Sequence, residues 1–166
     1  MPITCGMHIE PLTTEAYASL DYRVMKRAHA SQNQIGRLAD ERIYEASLAY
    51  QLEKTGLSCC RQVPFQVEHS TFHKTYFLDV VVDCCGAYEL KTVTQLTGAD
   101  ISQLLTYLHL LNLPRGKLIN FRSTKVESQF VNAPLTASTR RAFQVTRQNQ
   151  SWDHQEWATF ERQNSD

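Results

Sequence analysis

The amino-acid sequence predicts a mixed α/β domain of the α+β kind, in which helices pack on a small sheet. Apolar residues recur at helical spacing in residues 38–54 and 100–112, whereas residues 77–83 and 87–93 between them are rich in strand-forming side chains. A chain of 166 residues that is 42% apolar and 20% charged is long enough to bury one hydrophobic core. The predicted order is therefore helix, strands, helix and strand, with extra helices toward both termini.

Weaker patterns flank this core. Leu20 and Val24 predict a helix within residues 16–30, and the polar pair Gln32-Asn33 then interrupts the pattern. The predicted segments are an N-terminal helical extension in residues 1–35, the core in residues 36–133, and a C-terminal extension in residues 134–166 packed on the same domain.

The first core helix, residues 38–54, carries Tyr44, Leu48 and Leu52 on one face. Glu41 lies in the same narrow arc of the helix, so its side chain points toward the core. Two interpretations stay open. Glu41 is either a first-turn glutamate that reaches water near the helix start, or a carboxylate with a role in metal binding.

Three strands are predicted after this helix. Residues 59–67 contain Pro64, which suits an edge strand or a bulged one. Residues 77–83 and 87–93 flank Cys84-Cys85-Gly86, and a three-residue loop that ends in glycine is a common hairpin connection.

This loop would place Asp79 opposite Lys91 and Val81 opposite Glu89, and opposed residues share a face of an antiparallel pair. We therefore expect Asp79, Glu89 and Lys91 to converge, with the two acidic residues about 7–8 Å apart at the backbone. Hard cations such as Mg²⁺ and Mn²⁺ take oxygen ligands, which Asp79, Glu89 and the backbone carbonyl of Leu90 offer.

Such an ion supplies much of what phosphodiester hydrolysis needs. Lys91 has two roles open to it: its ammonium group orients water and offsets phosphate charge, or it acts as the base after burial lowers its pKa. The alternative for the whole hairpin is a set of ordinary ion pairs on an exposed strand face.

The second core helix carries an apolar stripe formed by Ile101, Leu104, Leu105, Leu108 and Leu111. Gln103 and Tyr107, four residues apart, lie on the flank of that stripe and can face the sheet. Residues 116–121 then predict a further strand.

Seventeen basic and seventeen acidic residues give no net charge, so the chain lacks the field of a protein that coats nucleic acid. A local basic region is predicted, or else a solvated face, from Arg115, Lys117, Arg122, Lys125, Arg140, Arg141 and Arg147. Five cysteines without a leader or C-x-x-C spacing argue against disulfides and zinc and favour the cytoplasm. No apolar run is long enough to span a membrane.

Several motifs together resemble the PD-(D/E)XK nuclease superfamily, and most closely the GxxExxY family in its RecB-like branch. The likeness runs from about residue 36 to residue 121, although Leu38 stands where the motif glycine is expected. The matching motifs are Glu41-Arg42-Ile43-Tyr44-Glu45, Lys54-Thr55-Gly56-Leu57, Gln62-Val63-Pro64, Asp79-Val80-Val81-Val82, Glu89-Leu90-Lys91, Gln103-Leu104-Leu105-Thr106-Tyr107-Leu108 and Gly116-Lys117-Leu118-Ile119-Asn120-Phe121.

The resemblance implies a restriction-endonuclease-like core of helix, three strands, helix and strand. It implies that Asp79 and Glu89 bind the metal and that Glu41 holds a metal or its water. Lys91 matches the catalytic lysine. Gln103 and Tyr107 match an element that steadies the substrate or the shape of the site.

The expected protein is therefore a cytoplasmic nuclease that uses Mg²⁺ or Mn²⁺ and cleaves nucleic acid, with DNA favoured over RNA. Its oligomeric state stays open. One alternative is a catalytically inactive nucleic-acid-binding or adaptor module on the same fold, which the zero net charge favours. Another is a metal-free interaction protein, in which the carboxylates form ordinary ion pairs.

Overall fold

The computed structural model describes residues 3–134, in which helices lie on both faces of a six-stranded sheet. The elements in chain order are β1 (Ile3–Cys5), α1 (Thr14–Ile35), α2 (Glu41–Glu53), β2 (Cys59–His69), β3 (Phe72–Val82), β4 (Gly86–Lys91), α3 (Gly98–Leu111), β5 (Arg115–Asn120) and β6 (Glu127–Asn132). The predicted α/β fold is confirmed, and α2 to β5 follow the predicted core order. The short strands β1 and β6 are additions that the sequence patterns do not predict. Residues 135–166 of the predicted C-terminal extension lie outside the described residues.

Helix α1 is longer than its pattern predicts. Thr13 caps its first turn, and Gly36, with φ of +84°, follows its last residue. Gln32 does not interrupt the helix, because its buried side-chain amide donates hydrogen bonds to the carbonyls of Phe121 and Ser123, both at 2.9 Å. Tertiary contacts therefore override the local preference at this position.

Helix α2 buries Tyr44 and Leu48 as predicted. The Tyr44 ring stacks on Phe121 with 4.5 Å between the ring centroids, and the Tyr44 hydroxyl donates to the Gly36 carbonyl at 2.6 Å. These contacts hold the start of α2, where Glu41 lies, against the end of α1 and the residue that follows β5.

The strands are arranged in sequence order from β1 to β6, and every neighbouring pair is antiparallel except β4 and β5. Helix α3 supplies the crossover that the parallel pair needs. Strand β2 has a second neighbour only at Phe65–Val67, where β1 pairs with it, so within the described residues its first part is an edge of the sheet, one of the two predicted alternatives. Pro64 is tolerated because the ladder with β1 ends at Phe65, so its missing N–H costs no hydrogen bond there.

The two faces of the sheet have separate hydrophobic cores. Val80, Val82 and Tyr88 pack under α1 and α2. Val81 and Ala87, their neighbours along the same strands, pack under α3. This alternation along β3 and β4 decides which side chains face which helix.

The hairpin between β3 and β4 has a three-residue turn, but the turn is Asp83-Cys84-Cys85 rather than Cys84-Cys85-Gly86. Val82 pairs with Gly86, so the predicted pairings of Asp79 with Lys91 and of Val81 with Glu89 are wrong. Asp83 and Cys84 adopt the left-handed backbone, with φ of 49° and 55°. The partner of each residue moves by two positions, which keeps every side chain on its predicted face.

Strands β2 and β3 change faces at Gln62. Gln62 has φ of +49°, and the ladder passes from Arg61 paired with Val80 to Val63 paired with Leu78 without a pair between Gln62 and Asp79. Before this point Cys59 packs on the α1 and α2 side, whereas Val63 packs on the α3 side. In a regular strand these two residues, four positions apart, would share one face. The break therefore lies opposite Asp79.

Candidate active site

The two strand carboxylates that are predicted to bind a metal are neighbours. Asp79 on β3 is 8% exposed and Glu89 on β4 is 3% exposed. The β3–β4 ladder ends at the pair of Val80 and Tyr88, and beyond it the Asp79 side chain takes over as acceptor. Asp79 Oδ2 accepts a hydrogen bond from the Leu90 backbone N–H at 2.9 Å, which fixes the carboxylate against the partner strand.

Glu89 has one satisfied carboxylate oxygen and one orphaned oxygen. Oε1 accepts from Lys91 Nζ at 3.4 Å and from Gln103 Nε2 at 3.2 Å. Oε2 is buried and accepts no hydrogen bond of normal geometry from any of residues 3–134. Burial, followed by the charge of Asp79, raises the pKa of Glu89 to about 8, against a smaller lowering effect of Lys91.

Helix α3 contributes the predicted pair Gln103 and Tyr107. Lys91 Nζ donates to Gln103 Oε1 at 2.8 Å, and Gln103 Nε2 donates to the Tyr107 hydroxyl at 3.0 Å. The Gln103 amide therefore accepts from the lysine and donates to both Glu89 and Tyr107. It fixes the ammonium group and the carboxylate relative to each other.

The backbone carbonyl of Leu90 faces the same side as Asp79. The N–H and C=O groups of one strand residue point toward the same neighbouring strand, and the Leu90 N–H is bonded to Asp79. The Lys91 carbonyl points the other way and accepts from the Phe121 N–H beyond β5. The atoms that could bind a metal at the site are therefore oxygens of two carboxylates and one backbone carbonyl. Such ligands suit a hard divalent cation and not a soft metal.

Glu41, the first residue of α2, is half-buried and faces this region. Burial and then the charge of Asp79 raise the pKa of Glu41, and Lys91 opposes them. Among residues 3–134, however, no three Asp, Glu, His or Cys side chains come close enough to share one ion. The structure brings Asp79 and Glu89 together with Lys91, Gln103 and Tyr107, and leaves Glu41 at the margin.

Sequence reasoning missed the polar residues behind Asp79. Glu45 on α2 is 1% exposed, and its Oε1 accepts from Arg61 Nε at 2.8 Å. Gln62 Nε2 donates to Glu45 Oε2 at 2.7 Å and to Asp79 Oδ1 at 3.0 Å. The signal for Glu45 was its place one turn after Glu41 on the same helix face. Gln62 belongs to a matching motif but received no role, because its left-handed backbone cannot be read from its residue type.

The predicted basic region is wrong for Lys117. This residue is 6% exposed, and its Nζ pairs with Asp21 Oδ2 at 2.6 Å and lies over the Phe130 ring. Arg122 is half-buried and donates to the Ala39 carbonyl beside the start of α2. Arg140, Arg141 and Arg147 lie outside the described residues.

Comparison with known protein families agrees with the geometry. The model of the PD-(D/E)XK nuclease superfamily matches residues 18–132. Comparison with curated proteins finds no match, and comparison with solved structures finds none either. Within the part of the chain that is described, no helix combines the length and apolar character needed to cross a membrane. With most of its length matched by the family model, the chain belongs to the PD-(D/E)XK nuclease superfamily.

Proposed function

We propose that the protein is a metal-dependent nuclease that hydrolyses phosphodiester bonds in nucleic acid, with Mg²⁺ or Mn²⁺ as its ion. The observation that carries this proposal is the buried Glu89 Oε2, which accepts no hydrogen bond within residues 3–134 although Asp79 lies beside it. A buried carboxylate oxygen without a partner is costly, and a divalent cation would satisfy it. The superfamily, whose members are generally metal-dependent nucleases, supports the same function.

Asp79, Glu89 and the Leu90 carbonyl would hold the ion, and Glu41 would reach it directly or through a bound water. When bound, the ion polarises a phosphoryl oxygen and lowers the pKa of a water molecule. Lys91 donates to Glu89 and Gln103, which directs its ammonium group toward the same place. There it would neutralise charge on the phosphate or exchange a proton with the attacking water.

We assign the chain within the superfamily to the GxxExxY family and its RecB-like branch. Glu41 and Tyr44 have the motif spacing on α2, and the Tyr44 hydroxyl bonds to Gly36 at the entry of the helix. Leu38 is 76% exposed at the position of the motif glycine, so nothing packs against its side chain closely enough to require glycine. The entry to the helix is thus compatible with this departure from the motif.

We further propose DNA rather than RNA as the substrate and the cytoplasm as the compartment. The preference for DNA follows from the family resemblance alone, and the cleavage assay below tests it. The cytoplasm is supported by the five cysteines, all of them described and all free thiols.

The second candidate is a nucleic-acid-binding or adaptor module without catalytic activity. One observation favours it: within residues 3–134 no three Asp, Glu, His or Cys side chains are assembled around one point. Catalysis requires that water, Glu41 or the substrate complete the coordination of the ion when it binds. A binding module has no such requirement.

The two candidates differ in a direct assay with the full chain. Single- and double-stranded DNA and RNA are incubated with Mg²⁺, Mn²⁺ or EDTA, together with the variants Asp79→Asn, Glu89→Gln and Lys91→Met. Cleavage by wild type that all three changes abolish supports the nuclease. Glu53→Gln serves as the control, since Glu53 is an exposed residue at the end of α2. Binding without cleavage in any metal supports the adaptor instead.

A further inference from the structure

Asp79, which would hold the ion, is positioned by a series of polar contacts that runs from α2 through β2. Arg61 pairs with Glu45, Glu45 accepts from Gln62, and Gln62 donates to Asp79. These groups lie on α2, β2 and β3. Within this series of contacts, the side-chain amide of Gln62 is the group that touches Asp79.

The chemistry of an amide fixes how this link must be oriented. Both partners of Gln62 are carboxylate oxygens, so the nitrogen must face them and each N–H bond serves one carboxylate. An amide placed between two acidic groups relieves their mutual repulsion with charge-assisted hydrogen bonds. Both contacts therefore require Glu45 and Asp79 to act as acceptors.

Asp79 then has one donor on each oxygen. Gln62 Nε2 donates a hydrogen bond to Oδ1 at 3.0 Å, and the Leu90 N–H donates one to Oδ2 at 2.9 Å. Two donors from two different strands leave the carboxylate little freedom to rotate. Each oxygen keeps a further lone pair, which is what a metal ligand must offer.

The far end of the link is also fixed. The Glu45 side chain is 2% exposed, and its charge is balanced by Arg61 at 2.8 Å. Gln62 itself adopts φ of +49° at the break in the β2–β3 ladder, a conformation that side chains other than glycine and asparagine rarely take. That backbone conformation sits where the strands change faces, and it directs the amide between the two acids.

We propose that Gln62 is a positioning residue that orients the Asp79 carboxylate for metal binding. This inference rests on the proposed function, because it concerns the ion that Asp79 and Glu89 would hold. Loss of the amide should weaken the affinity for Mn²⁺ by about tenfold to hundredfold, the usual effect of removing a group that orients a ligand.

The test uses the full chain and two variants. Gln62→Met keeps the length and removes both donors, whereas Gln62→Asn tolerates the left-handed backbone but is too short to bridge the acids. Gln66→Met is the matched control, as an exposed glutamine on the same strand. Affinity for Mn²⁺ is measured by calorimetry, and the Leu90 amide resonance is recorded in metal-free protein, because that N–H reports the position of Asp79.

We expect both Gln62 variants to bind Mn²⁺ more weakly and to shift the Leu90 resonance, with the control unchanged. An affinity within about twofold of wild type would overturn the proposal even if the melting temperature fell, since Gln62 would then serve only the fold. If wild type itself binds no Mn²⁺, the proposed function fails. The Leu90 resonance then still decides whether Gln62 positions Asp79, and an unmoved signal refutes it.

Discussion

The metal-free protein should lose stability as the pH rises through neutrality, and Glu89 should be the main cause. Glu89 is 3% exposed, and the pKa of its carboxyl group rises from an ordinary 4.5 to about 8 on folding. A raised acid pKa means that the folded state holds its proton more tightly than the unfolded state does. The stabilisation is therefore complete below pH 4.5 and is lost progressively up to about pH 8.

The size of the loss follows from the same two values. Each pH unit in this window costs about 1.4 kcal/mol, so at pH 7 the cost is about 3 kcal/mol relative to acid solution. Glu89→Gln replaces the acid with a neutral group of the same shape. The variant should lose less of its free energy of unfolding across this range, because only Glu41 and Asp79, whose pKa values burial also raises, still ionise there. It should exceed wild type at pH 8 by about 3–5 kcal/mol.

The assay is urea unfolding in EDTA at several pH values, repeated with Mn²⁺. The ion should restore wild type at pH 8, because it takes the place of the proton on the carboxylate, and it should not affect Glu89→Gln. Glu53→Gln, at an exposed position, should follow wild type throughout. Parallel pH profiles for wild type and Glu89→Gln would refute the reasoning, because Glu89 would then ionise in the folded state as readily as in water.

Three further changes test the fold that supports the site. Lys117→Met should lower the free energy of unfolding by about 3–5 kcal/mol, because it leaves the buried Asp21 carboxylate without its positive partner. The double variant with Asp21→Leu should recover most of the loss. A loss below about 1 kcal/mol would mean that water reaches the pair. Gly86→Ala should cost about 1–3 kcal/mol in the same unfolding assay, since an added Cβ would lie 2.6 Å from a side-chain methyl of a buried leucine of α1, and a neutral result would show that this side chain can rotate away. Tyr44→Phe should cost about 1 kcal/mol by losing the hydrogen bond to Gly36, with the affinity for Mn²⁺ unchanged; a change in that affinity would link the helix entry to the metal.

The sequence predicts the core helices and strands because their apolar patterns are long and regular. The stripes of α2 and α3 each recur over several turns, which is a strong signal of one buried helix face. Strand β1 has three residues and carries no such pattern, so only the pairing with β2 reveals it. The end of α1 depends on the contacts of Gln32 with the loop after β5, which no local pattern contains.

The hairpin shows why the convergence of Asp79, Glu89 and Lys91 was predictable although the strand register was not. The residues Asp83-Cys84-Cys85-Gly86 offer two adjacent three-residue turns, and glycine at the last place favoured the wrong one. Packing favours the observed turn, because Gly86 lies in β4 at a place where an added Cβ would be only 2.6 Å from a leucine side chain of α1. A shift by two residues preserves the faces, so Glu89 and Lys91 still point toward α3.

The break between β2 and β3 explains how one sheet can present acids to helices on both of its faces. In a regular ladder Asp79 would face α3 together with Val81, and α2 on the other face would be out of reach. The left-handed Gln62 interrupts that alternation opposite Asp79, so this carboxylate contacts a side chain bonded to α2 while its other oxygen meets β4. Glu89 is reached from α3 through Gln103. The two carboxylates therefore meet where the sheet is irregular, and a substitution that restored regular pairing at Gln62 would separate Asp79 from the α2 side of the site.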